Sequence, residues 1–295
     1  MDTERVKNVL IVLFSVIAIS LVSLIFVTEE RYTLSASQEA VIIAILERDG
    51  IYFETEMIRD FRPMRQIEMR RYSYDLEGLA ARFFGDRDFY FEDDDPDYIF
   101  STQDGSKMMA YSSWTNVVTF FMPQGISNAA FNAAPSATTA GLLAMEYIDN
   151  LMGMPSNMQP FPTVVGQHGN WVVNFFTTYR GHTLHNDHIR VNITENGITN
   201  IRYSRVYFNG FVGESFNIFP PNEVLMALTN HMRTEQVVGR IVVDSMSLSY
   251  LLIEESGQSI GSPVYVFSVY LGGDSRFNYV FNAHTNQYIH HERSL

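Results

Sequence analysis

The chain has no cysteine. It therefore has no disulfide framework, no thiol chemistry and no site for an N-terminal lipidated cysteine. Lysine is almost as scarce, with only Lys7 and Lys107. Neither follows a glycine, so no G-K-[ST] loop exists to cradle a phosphate. Positive charge is short throughout: 33 acidic residues face 20 basic ones, for a net charge of −13. The deficit sits in the first half, where residues 1–150 carry 23 acids against 12 bases, while the remainder carries 10 against 8. A nucleic-acid binder presents a basic face, so that class is set aside. No H-E-x-x-H and no S-x-x-K occurs. Gly213-Glu214-Ser215-Phe216-Asn217 begins like a nucleophile elbow but lacks its final glycine.

Long apolar runs are equally rare, and the one present sets the topology. Val9 to Val27 is uncharged. As a helix it would extend about 28 Å at about 1.5 Å per residue, enough to cross the hydrocarbon core of a bilayer. A spanning segment must satisfy its own backbone polar groups and so must be helical. The exit Leu24-Ile25-Phe26-Val27-Thr28-Glu29-Glu30 offers no small-x-small cleavage site, which predicts a retained anchor. Arg5 and Lys7 precede the run and Arg31 follows it. This balance predicts a cytoplasmic tail at 1–8, a transmembrane anchor at 9–27 and an extracytoplasmic body in the cell membrane. Ser15, Ala18 and Ser23 share one side of that helix and form a candidate partner-binding face.

The rest of the chain is rich in Phe and Tyr, which favours strands. Ser35 with Gln38 is a capping-box pattern opening a helix that ends at Gly50. A short strand from Ile51 and a helix over Tyr74–Phe84 follow. Strands are predicted at 89–91, 98–102, 107–112 and 116–122, with a hairpin at Asp104-Gly105. After a loop over Pro123–Pro135 come a helix at 136–152 and strands at 171–179, 188–194 and 198–208. A helix at 222–232 and strands at 240–245, 247–254, 264–271, 278–282 and 287–290 close the chain. The fold class is thus α+β, with the anchor followed by two α+β domains with antiparallel sheets, at 35–123 and 126–295. The second is predicted to hold two similar helix-plus-meander units.

Three clusters were weighed for chemistry. His182, His185 and His188, beside Asp187, are candidate zinc or copper ligands, but their spacing suits a solvated hairpin turn better. The run Glu92-Asp93-Asp94-Asp95-Pro96-Asp97 lacks the spacing and glycine of a calcium loop and reads as a solvated acidic loop. Arg59, Arg62, Arg65, Arg70 and Arg71 are interleaved with Asp60 and Glu68, the pattern of an exposed, internally paired segment. No catalytic residue, cofactor or metal is therefore expected, and the chain reads as a non-enzyme.

The order of these features resembles the YycH/YycI group of membrane-anchored regulators of a two-component system in Gram-positive bacteria. The residues that carry the likeness are the anchor, Ile45-Leu46-Glu47-Arg48-Asp49-Gly50-Ile51 and Phe61-Arg62-Pro63-Met64. To these are added Pro263-Val264-Tyr265-Val266-Phe267 and Tyr279-Val280-Phe281-Asn282-Ala283-His284-Thr285-Asn286. The closing strand and polar turn are also similar to PepSY-like α+β modules, with Asn286 where such tails often have glycine. The resemblance implies non-catalytic signal transduction at the cell envelope. It implies protein–protein contact with a sensor histidine kinase or other membrane protein, and a hetero-oligomer with a related regulator. The alternatives are an envelope polymer- or peptide-binding or protease-inhibiting module, and a hydrolase whose residues are scattered through the fold.

Overall fold

The computed structural model describes residues 7, 11, 13–21, 31–85, 87–94, 97–126, 136–155, 158–161, 170–237, 239–255, 258–272 and 275–294. Residues 13–21 are helical, and the Ser15 hydroxyl donates to the Ile11 carbonyl at 2.8 Å. Among the described residues no helix is long and apolar enough to cross a membrane. The expected span at 9–27 falls partly outside them, as does its Ser23, while Ser15 and Ala18 lie within the helical stretch.

The described chain is α+β and mostly antiparallel, and it forms two compact units. The first comprises residues 1–64, 215–247 and 264–294, and the second 65–214 and 248–263. Neither is continuous in sequence. The boundary expected near 123–126 falls inside the second unit.

In the first unit, α1 (Ala36–Arg48) leads into β1 (Ile51–Phe53). β1 pairs in parallel with the start of β12 (Ile241–Glu255) through Ile51↔Ile241 to Phe53↔Val243. β12 neighbours β13 (Gln258–Leu271), which pairs antiparallel with β14 (Arg276–Asn282), and β14 pairs with β15 (Tyr288–Ser294). A further helix, α4 (Pro221–Thr234), contacts both α1 and β15. Leu225, Leu228 and Met232 of α4 and Tyr265, Phe267, Val280 and Phe281 of the sheet are buried.

The second unit has an antiparallel sheet in the order β7-β8-β9-β10-β6-β5-β4-β3. Its strands are β3 (Phe89–Asp94), β4 (Asp97–Thr102), β5 (Met108–Ser112), β6 (Val117–Ile126), β7 (Met158–Phe161), β8 (Trp171–Tyr179), β9 (His182–Thr194) and β10 (Gly197–Ser204). Helices α2 (Leu76–Phe84) and α3 (Ala137–Met152) pack against this sheet. Phe83, Ala140, Ala144 and Ile148 meet Met109, Phe120, Phe175, Val191 and Ile201 in one buried cluster. Against the far stretch of β9, Thr183 and Leu184 pair in parallel with Ser249 and Tyr250 of β12. Ile260 and Gly261 of β13 pair with Glu68 and Ile67 of β2 (Met64–Arg71). β11 (Val206–Phe216) lies beside β2.

Most predicted elements are present, and the predicted capping box is formed. Ser35 caps α1, with both halves of the capping box formed, and Ser136 caps α3. Four expectations are corrected. The Arg59–Arg71 segment contains β2, whose Ile67 and Met69 are fully buried. The acidic run is not wholly a loop, because Glu92-Asp93-Asp94 continue β3 and Asp94 pairs with Asp97. The strands expected at 240–245 and 247–254 are one strand, β12. The loop expected over Pro123–Pro135 begins later, since β6 runs to Ile126, and its remainder lies outside the described residues.

Candidate functional site

The most informative surface is α1 and the groove beside it, in the first unit. Eight of the thirteen residues of α1 are Ala, Val, Ile or Leu, yet only Leu46 is buried. A helix this apolar is normally covered on most of its circumference. Here Val41 remains 60% exposed. Ile42, Ile43 and Ile45 are half-buried, so Val41 is the large apolar side chain that this helix leaves in the open, where it lines the groove.

Local interactions hold the groove open. Leu34 N–H donates to the Arg59 carbonyl at 2.8 Å, and Phe61 N–H donates to the Tyr32 carbonyl at 3.0 Å. This short ladder sets the Phe61 ring edge-on to Tyr32 at 6.2 Å. Arg59 pairs with Glu39 of α1 at 2.9 Å. On the other wall, Pro221 occupies the first turn of α4, where its missing N–H costs nothing. Phe219 N–H donates to the Ala283 carbonyl at 2.8 Å, and the Asn286 amide to the Glu223 carbonyl at 3.4 Å. Between these walls lies an open groove of about 590 Å³ with an apolar floor of Leu34, Val41, Ile42, Phe61 and Pro220. Its rim carries Arg31, Gln38 and Glu223. Asn222 also lines it. The volume suits one or two apolar side chains or a small ligand.

The histidines anticipated from sequence are not brought together as ligands. The tight turn falls before them, at Arg180-Gly181 with φ of 50° and 87°, and all three lie in β9. His182 Nδ1 lies 3.3 Å from the Leu248 carbonyl, and His188 Nδ1 lies 2.9 Å from the His185 carbonyl. Among the described residues no three His, Cys, Asp or Glu are grouped to hold a metal ion. The stretch 185–187 is instead an irregularity in β9: Phe176 pairs with His188, but Thr178 pairs with Thr183. Asn186 ties it down, accepting from Leu252 N–H at 2.6 Å and, through its carbonyl, from the Ser204 hydroxyl at 2.7 Å.

Asp187 is thereby fully buried, 2.5 Å from Arg205 Nε. That contact lies off the N–H direction, so it is a charge contact and not an aligned hydrogen bond. Burial raises the Asp187 carboxyl above its ordinary value, against the pull of Arg205. Tyr74 is also pushed up by burial, and its hydroxyl accepts from Arg205 N–H at 2.8 Å. No sequence spacing pointed to this pair, because Asp187 lies in β9 and Arg205 is the single residue between β10 and β11.

The arginine segment is largely paired, as expected. Arg62 meets Asp60 and Arg70 meets Glu68, while Arg71 crosses to Glu254 at 2.6 Å. The Gly213–Asn217 stretch runs through the end of β11 with its side chains exposed, not through a strand-to-helix elbow.

No protein-family model matches the chain, and no curated protein does. Three solved structures are similar in chain course. An uncharacterized protein from Eubacterium rectale ATCC 33656 is 14% identical with a TM-score of 0.48, over 82% of this chain and 91% of that one. The C-terminal domain of YpeB from Bacillus megaterium is 11% identical with a TM-score of 0.30, over 77% and 99%. YycH from Bacillus subtilis is 12% identical with a TM-score of 0.44, over 78% of this chain and 55% of that one.

Proposed function

We propose that the protein is a membrane-anchored, extracytoplasmic and non-catalytic regulator. In this reading it docks a second membrane protein, a sensor histidine kinase of a cell-envelope two-component system, through α1 and its groove. The observation that carries the reading is the apolar helix α1, left mostly uncovered and starting nine residues beyond the apolar run that ends at Val27. With Val27 at the edge of the bilayer, Arg31 on the groove rim lies within about 14 Å of it, the reach of four extended residues. A partner held in the same membrane meets the groove at high effective concentration, so a modest apolar contact suffices. Helix-in-groove docking is the mode that fits a helical apolar stripe. The face of Ser15, Ala18 and Ser23 adds a contact within the bilayer, and a related regulator shares the assembly. The kinase as partner rests on the resemblance carried by residues 45–51, 61–64, 263–267 and 279–286.

The test is site-specific photo-crosslinking in intact cells, with the probe at Val41 and a control at the exposed Trp114. The Val41 probe should capture the kinase, Ile42→Asp in the same groove should cut that capture at least tenfold, and Val41→Asp in a probe-free chain should shift the output of the signalling system. Capture of no kinase at Val41, or equal capture at Trp114, overturns the reading.

The open groove, lined by both apolar and polar side chains, favours a second reading, in which it holds an envelope peptide or polymer. Retention on purified wall material that is lost in Val41→Asp would select it.

A further inference from the structure

The sheet of the second unit ends on β3, which pairs with β4 and with no other strand among the described residues. Alternate residues of a strand direct their N–H and C=O to one side. Half of those on β3 therefore face away from β4, a template for a further strand. Natural edges are blunted by charge along their length, by proline or by a bulge. The register of β3 is unbroken from Phe89↔Thr102 to Asp94↔Asp97. Its first half is Phe89-Tyr90-Phe91, with Tyr90 54% and Phe91 52% exposed. Phe89 stacks on Phe84 at 4.9 Å and Phe91 packs on Phe100 at 4.9 Å, so these rings form a fixed apolar shelf. Glu92 and Asp93 follow, both exposed and outside every ion pair found among the described residues. The nearest cations in sequence are directed elsewhere, Arg87 to the Ser106 hydroxyl, Arg82 to the Gly78 carbonyl and Lys107 to the Phe83 carbonyl.

We propose that β3 is a docking edge for an extended, basic segment of another polypeptide, which joins the sheet as an added strand. Main-chain hydrogen bonds supply the attachment, the shelf takes an apolar side chain beside Phe91, and Lys or Arg side chains meet Glu92 and Asp93. A second copy of this chain is the wrong occupant, because residues 89–94 carry no base. Paired antiparallel, two copies set aromatics against acids, and paired parallel they set acids against acids. The inference does not depend on the α1 groove, and its failure would leave that reading standing.

The test uses the full chain in detergent micelles and a labelled hexapeptide, Arg-Arg-Arg-Val-Thr-Val, which opposes residues 94 to 89 in antiparallel register. Two further probes carry N-methyl groups on alternate backbone amides, in the two opposite phases. The unmodified probe should bind and slow hydrogen exchange within 89–94. One methylation phase should weaken binding at least tenfold and the other should not. Glu92→Lys/Asp93→Lys should lose the basic probe at least tenfold and gain Glu-Glu-Glu-Val-Thr-Val. No binding, or both methylated probes behaving alike, overturns the proposal, the latter by reducing the effect to charge attraction or to a contact without strand geometry. The methylation arm needs no variant, so it decides even where the double substitution fails to fold.

Discussion

At the level of single residues, the second unit depends on a buried charge pair that spacing does not reveal. Asp187 and Arg205 are taken from water at a cost that their mutual attraction offsets only in part. Asp187→Asn leaves the guanidinium without a counter-charge and is expected to lower stability by about 3–5 kcal/mol. Asp187→Leu/Arg205→Leu should cost clearly less than the sum of the single changes. Urea denaturation of the set checks both. In the first unit, burial lowers His231 below the usual imidazole value, with Glu235 opposing, and its ring stacks on Tyr288 at 3.8 Å. Burial lowers His284 too, opposed by its contact with the Met64 carbonyl at 3.2 Å. Once unfolded, both titrate near about 6.5. The unfolded chain then takes up protons that the folded chain refuses, so stability falls as pH drops below about 6.5, until the folded imidazoles protonate as well. Urea midpoints at pH 7.5 and 5.5 should show the loss, and His231→Gln/His284→Gln should flatten it.

Among the elements, the local signals that worked are those with a short-range cause. Ser35 with Gln38 and Asp104-Gly105 act within a few residues, and each appears where the chain places it: a capping box, and a turn with Gly105 at φ 66°. Asn286 holds φ 57°, a conformation that asparagine tolerates. β2 was hidden because its polar and charged residues mask the alternation of Ile67 and Met69, which shows only once both neighbours are in place. Glycine positions separate strain from collision. A Cβ at Gly125, with φ 71°, would lie 2.2 Å from the Asn196 carbonyl oxygen, whereas one at Gly50, with φ 81°, meets nothing within 4 Å. Gly50→Ala should cost about 1–2 kcal/mol from the left-handed backbone alone. Gly125→Ala must also displace the β9–β10 turn and should cost more. Paired thermal and urea melts would show the difference.

On the scale of the whole molecule, the helix-plus-strands pattern read twice in the second half is present, but its copies serve different compact units. α3 and the strands after it belong to the second unit, with α2 and β3–β6, and α4 belongs to the first, with α1 and β1. β12 and β13 each give part of their length to both units. A chain lacking residues 1–30 keeps every element from α1 onward, so it should retain the circular dichroism and cooperative unfolding of the body. In cells it should lose regulation by at least tenfold, because the effective concentration conferred by a shared membrane is gone. Full regulation by the anchorless form would contradict the tethered reading. What the sequence alone determined was local and compositional: the absence of thiol chemistry, the acidic balance, the apolar run at 9–27, the caps and the tight turns, all set by a residue and its near neighbours. Which strands are neighbours, that Asp187 finds Arg205, that α1 stays uncovered and that β3 ends a sheet were decided by tertiary structure. Those outcomes depend on burial and pairing between segments far apart in the chain, for which periodicity holds no record.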